Sequence, residues 1–160
     1  MAEPFSAESR LIHAGTERAP GRPGTPPFVP ASIYVSQGAP EPGRALAIAR
    51  HLADHPRVAA VHYPGLDRQT ADVARRQMPG GSGPLLSFEV TPDQAGAADK
   101  VVASSRLIVP ATSFGGVEST RERRARWPAE TAPAGLIRLS VGVEPAADLI
   151  TDIDQALEVL

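Results

Sequence analysis

The sequence contains no cysteine and only one lysine, Lys100. The missing cysteine removes disulfides, thiolate metal sites and cysteine nucleophiles together. With one lysine, any chemistry that needs a side-chain amine has a single candidate, and arginine supplies every other strongly basic group. Long apolar runs are absent too, and none approaches the roughly 20 residues of a membrane-crossing helix. The start, Met1-Ala2-Glu3-Pro4, lacks both the basic region and the apolar stretch of a signal peptide. A net charge of −2 offers no electrostatic footprint for nucleic acid or an acidic membrane surface. These absences lead us to expect a cytoplasmic chain, and its 160 residues suffice for one domain around one core.

Proline is abundant, and eight of the 17 prolines fall in the first 42 positions. Proline removes backbone donors and biases its neighbours toward extended conformations, so residues 1–42 read as an extended arm and linker. From Arg44 the pattern turns regular, and residues 43–160 read as one α+β domain. Ala45, Ile48, Ala49 and Leu52 follow helical spacing, with Pro56 as the stop. Val58 to Tyr63 reads as a strand closed by Pro64-Gly65, and Asp67 as the cap of a helix reaching about Met78. Leu85 to Val90 is β-rich. Thr91-Pro92-Asp93-Gln94 has the form of a capping box opening a helix to about Ser104. Leu107 to Val109 is a short strand, and residues 112–116 form a glycine-rich turn. Leu136 to Val143 alternates, with Ile137, Leu139 and Val141 on one side and Arg138 and Ser140 on the other. Leu149, Ile150, Ile153, Leu157 and Leu160 make one stripe of a last helix. The expected architecture is a small, mostly antiparallel four-stranded sheet with helices on one face.

Several segments then resemble one family. Ser9-Arg10-Leu11-Ile12-His13-Ala14-Gly15 and Pro27-Phe28-Val29-Pro30-Ala31-Ser32-Ile33-Tyr34 resemble the N-terminal segments of the Cys/Met-metabolism PLP enzymes, the cystathionine γ-lyase/γ-synthase family. His55-Pro56-Arg57-Val58 through Tyr63-Pro64-Gly65-Leu66 resembles the start of that family's C-terminal domain. Residues 111–119 and 136–144 resemble two substrate-side motifs, and Arg121 to Trp127 resembles the version in actinobacterial cystathionine γ-lyases. The resemblance is collinear and implies the C-terminal fold of fold-type I PLP enzymes. It also implies pyridoxal 5′-phosphate as the family's cofactor. The family's large domain, with its Schiff-base lysine, has no counterpart here: Ser36-Gln37-Gly38 runs almost directly into the C-terminal part. The resemblance therefore implies a truncated relative that does not bind the cofactor or catalyse alone, with no catalytic or cofactor-binding residues of its own. Two alternatives stand beside it: a module that binds amino-acid carboxylates, or a subunit completing a PLP lyase with a separate chain. Self-association and pairing with a full-length family member are the partnerships expected.

For individual residues, the resemblance implies that Arg138 meets an amino-acid substrate's α-carboxylate, a role suited to guanidinium geometry. It places Ser113 near the same carboxylate and Thr112 at a position that varies with substrate. A turn in which Gly115 and Gly116 serve backbone needs explains residues 112–116 equally well. Lys100 lies mid-helix, outside any lysine motif, and reads as a surface side chain. His51 and His55 have a metal-compatible spacing but no third ligand nearby, so no metal site is expected. The arginines from 121 to 126 suggest phosphate contact only in isolation, and the overall charge disfavours it.

Overall fold

A computed structural model describes residues 6, 7, 9, 43–66, 70–127 and 129–160. Nearly all of the arm expected over 1–42 lies outside these residues, as does Asp67, the expected helix cap. Helix α1, Arg44–Ala53, buries Ala45, Ile48, Ala49 and Leu52, the i, i+3, i+4, i+7 stripe of a one-sided helix. Pro56 does not set its end, because the Asp54 N–H already turns back to the His51 carbonyl at 3.3 Å. There follow β1 (Val58–His62), α2 (Ala71–Gln77), β2 (Leu85–Val90), α3 (Ala95–Ala103), β3 (Val109–Pro110), β4 (Thr120–Arg123), a 3-10 turn (Arg124–Arg126), β5 (Leu136–Ser140) and α4 (Ala146–Leu157).

The strands form one sheet in the order β1-β2-β5-β4-β3. Every pairing is antiparallel except β3 with β4. The α+β class and the mostly antiparallel sheet agree with the sequence, but the sheet has five strands where four were expected. The added strand is β4, whose Thr-Arg-Glu-Arg carries no apolar alternation. Its backbone groups are paired with β3 and β5 on either side. Ladder hydrogen bonds, not side-chain hydrophobicity, make it a strand.

Two local expectations need correction. The capping box does not form: α3 begins at Ala95 without a side-chain cap. The Asp93 carboxylate accepts the Gly135 N–H, fastening the segment before α3 to the start of β5. Strand β5 also ends at Ser140, short of Val143, because the Val143 N–H is drawn to the Val117 carbonyl at 2.9 Å.

Helices α1, α3 and α4 cover one face of the sheet. Ile48, Leu52, Phe88, Ile137, Leu139, Leu149 and Ile153 are fully buried in a single core cluster, each contributing about 1.5–3 kcal/mol by burial. Asp152, buried on α4, accepts the backbone N–H groups of Arg106 and Ile108 at 2.7 and 2.9 Å, together with the Ser105 hydroxyl. The connection between α3 and β3 is thereby tied to α4. At the other end of α4, Asp148 accepts the Ser6 N–H at 2.9 Å and the Ser9 hydroxyl at 2.6 Å. Burial opposes ionisation of Asp148, but these hydrogen bonds outweigh it and hold its carboxyl below the ordinary value.

Candidate functional site

Register decides which side chains share the sheet face that carries no helix among the described residues. Across β2, β5 and β4, Ser87 lies opposite Arg138 and Arg138 opposite Glu122. Ile137 and Leu139, one residue to either side of Arg138, point into the helix-covered core. Arg138 therefore rises from the central strand on the side away from the helices. Its Nη2 donates to the Thr112 carbonyl at 2.6 Å and to Glu122 Oε2 at 3.3 Å. Its guanidinium carbon sits 5.1 Å from the centre of the Phe114 ring, within cation–π range. Burial lowers the Arg138 pKa, the Arg124 charge lowers it further, and Glu122 and Glu130 partly offset both.

Glu122 is the hub of this cluster. It is 2% exposed, and its Oε1 accepts Trp127 Nε1 at 2.7 Å while its Oε2 accepts Arg124 Nη1 at 2.8 Å. Arg124 also bonds Glu130, the main reason its pKa is raised.

The loop over residues 112–118 forms the wall beside Arg138, and three contacts shape it. Gly115 adopts φ of +80°, where side chains are strained, and its N–H meets the Ser140 hydroxyl at 3.0 Å. Ser119 gives both its N–H and its hydroxyl to the buried Glu144, each at 2.8 Å, and accepts the Gly142 N–H. Thr120 Oγ1 bonds the Ser113 carbonyl at 2.8 Å.

The structure thus brings Thr112, Ser113 and Arg138 into one neighbourhood, though Thr112 reaches Arg138 through its backbone carbonyl. Neither the Thr112 nor the Ser113 hydroxyl makes a hydrogen bond among the described residues, and both residues are exposed. His51 is elsewhere, with Nε2 2.6 Å from Asp154 on α4, and His55 lies 3.9 Å from the same oxygen. Among the described residues no group of three or more His, Cys, Asp and Glu side chains is arranged to hold a metal. Nor is any helix among them long and apolar enough to cross a membrane.

Reasoning from sequence passed over Glu122, Arg124, Phe114 and Trp127. The available signal was a lone glutamate among arginines with β-period spacing, which puts Glu122 on the face opposite Arg121 and Arg123. Arg121, Arg123 and Arg124 of this run are held by partners, whereas Arg126 is exposed over the Trp127 ring. Arg121 is 1% exposed and donates to the Val101 and Val102 carbonyls, and Arg123 pairs with Asp99 at 2.7 Å.

A helix layer on one side of a mostly antiparallel sheet, with an anchored arginine on the side that carries no helix among the described residues, defines the class as an α+β domain. The sequence profile of the Cys/Met metabolism PLP-dependent enzymes matches residues 41–158, and the chain belongs to that family. It is 44% identical over 115 residues to a candidate cystathionine gamma-lyase of Streptomyces coelicolor, covering 71% of this chain and 29% of that protein. It is 43% identical over 121 residues to the cystathionine gamma-synthase of Mycobacterium tuberculosis, covering 71% of this chain and 31% of that one. The crystal structure of metB from Corynebacterium glutamicum superposes with a TM-score of 0.67 at 35% identity, covering 74% of this chain and 32% of that one. The chain spans less than a third of the length of each of these relatives.

The family depends on PLP, and the structure of a related candidate O-acetylhomoserine (thiol)-lyase from Campylobacter jejuni holds an N′-pyridoxyl-lysine-5′-monophosphate. The residues present here do not fit that attachment. Lys100, the only lysine, is exposed on α3. That helix packs through Ala97, Ala98 and Val101 into the core, so Lys100 and Arg138 lie on opposite sides of the sheet.

Proposed function

We propose that this chain carries the substrate-carboxylate side of a Cys/Met-metabolism PLP enzyme site and does not cleave or transfer carbon–sulfur bonds by itself. The observation behind this reading is the separation across the sheet. Arg138 is anchored on the face away from the helices, beside residues 112–114, whereas Lys100 is exposed on the helix side. PLP acts as an electron sink when an amine holds its aldehyde and protein charges hold its ring. The lysine must also reach the substrate carbons as acid and base. A guanidinium, by contrast, needs only the right pose to take an α-carboxylate. The relatives' names, cystathionine gamma-lyase and gamma-synthase, favour a sulfur amino acid as the molecule recognised, with Thr112 and Ser113 beside its carboxylate.

Reductive trapping tests this reading. The purified chain is incubated with PLP and reduced with borohydride, and its peptides are mapped by mass spectrometry. We expect no site-specific pyridoxyl label and no β- or γ-elimination, and a label on Lys100 accompanied by elimination would overturn the proposal. A second reading, in which another chain supplies the lysine-bearing domain, draws on the short span relative to the relatives. Repeating the elimination assay with a relative's lysine-bearing domain alone, inactive by itself, separates the two: elimination restored by this chain supports the second reading.

A further inference from the structure

Arg138 is placed to meet a carboxylate, yet its most useful nitrogen is already occupied. A carboxylate engages a guanidinium two-handed either end-on, across Nη1 and Nη2, or side-on, across Nε and Nη2. Both geometries use a hydrogen of Nη2, which carries two. Here Nη2 has two acceptors, the Thr112 carbonyl at 2.6 Å and Glu122 Oε2 at 3.3 Å. Two-handed capture therefore requires one of them to leave.

The two acceptors differ in how readily they yield. The Thr112 contact is short, and Thr112 belongs to a loop segment tied down through Ser113 and Gly115. The Glu122 contact is long, and Glu122 keeps Arg124 at 2.8 Å and Trp127 at 2.7 Å when it lets Arg138 go. A buried carboxylate left without partners is costly, but one that retains two donors is not. The backbone register sets Glu122 directly across from Arg138, so its carboxylate always lies within reach of the guanidinium.

We infer that Glu122 is an internal carboxylate occupying part of the position on Arg138 that a ligand's carboxylate would take, so that binding is an exchange of one carboxylate for another. This inference rests on the proposed role of Arg138. It makes Glu122 a specificity-setting residue: a monocarboxylate displaces it without disturbing the Arg124–Glu130 pair, whereas a doubly charged oxyanion gains no second free guanidinium from the exchange.

Trp127, the only tryptophan, donates its indole N–H to Glu122 and reports on the exchange. The full chain, labelled with nitrogen-15, is titrated with sodium acetate at constant ionic strength, following the Trp127 indole and Arg138 Nε resonances. In the wild type both resonances should move together and saturate. In Arg138→Gln the indole should stay in place. In Glu122→Gln, which removes the competing charge, acetate should bind about tenfold more tightly. Equal or weaker binding by Glu122→Gln, with Arg138 still required, overturns the inference and leaves the carboxylate role of Arg138 standing. Absence of binding in both proteins, or binding that ignores Arg138→Gln, overturns that role and the inference with it. Should Glu122→Gln fail to fold, the wild type decides: acetate that moves the Arg138 resonance without moving the indole overturns the exchange, and concerted movement supports it.

Discussion

Arg121 has the largest side chain among the fully buried residues, and it sits where sequence periodicity would place an aliphatic one. It faces the helix layer beside Leu139 and donates Nη2 to the last turn of α3. Its Nε and Nη1 find no partner among the described residues. Burial pushes its pKa down to about 10, with the Asp152 charge partly opposing the shift, so at neutral pH the core holds a cation. Replacing a buried charge by an apolar side chain of similar volume is often neutral or stabilising. Arg121→Met should therefore leave urea stability unchanged or raise it by up to about 3 kcal/mol. Arg121→Ala should lower it by roughly 2–5 kcal/mol through the cavity left behind. A Met variant that loses as much as the Ala variant would show that the bonds to α3 outweigh desolvation. Nothing in Arg-Glu-Arg-Arg announces which arginine is buried. The face of Arg138 could be read because Ile137 and Leu139 flank it, while Arg121 has no apolar neighbours to mark its face.

At the scale of elements, the loop over residues 112–118 and the end of β5 are held as one unit by Ser119, Glu144 and Gly142. A Cβ at Gly142 would stand 2.3 Å from the Val117 carbonyl and 2.5 Å from Glu144 Oε2, so no other residue fits without moving the loop. Gly142→Ala should cost about 1–3 kcal/mol in thermal or urea unfolding and speed amide exchange at Gly115 and Ser119. At Gly116 a Cβ meets only the Glu118 nitrogen, at 4.0 Å. Gly116→Ala should consequently stay within about 0.5 kcal/mol of wild type, and equal losses at both sites would argue against the steric account. Helices α1 and α4 could be read from their apolar stripes because a helix stripe is a local pattern. The box at Thr91 to Gln94 misled for the converse reason. A capping motif competes with tertiary partners: the Thr91 N–H goes to the Arg57 carbonyl and the helix starts only after Gln94.

Among the described residues one face of the sheet is covered by helices and the other carries none. Among the described residues Phe114, Val117 and Trp127 are 58%, 51% and 42% exposed, all near Arg138 or its loop. Clustered aromatic and aliphatic side chains of this kind favour association. We propose that the isolated chain self-associates through this side, so its sedimentation coefficient should rise with concentration. Phe114→Ser combined with Trp127→Ser should shift it toward monomer. A single monomeric species at every concentration would count against this.

Sequence alone determined the family, through motifs in collinear order, and the α+β class, through periodicities that need only neighbouring residues. The family resemblance also singled out Arg138, and alternation along its strand assigned its face. Tertiary structure alone decided that Thr-Arg-Glu-Arg is a strand and that Arg121 is buried. It alone set Glu122 against Arg138 and placed Lys100 across the sheet from that pair. These outcomes depend on strand order, register and hydrogen bonds between residues far apart in the chain, which local pattern does not encode.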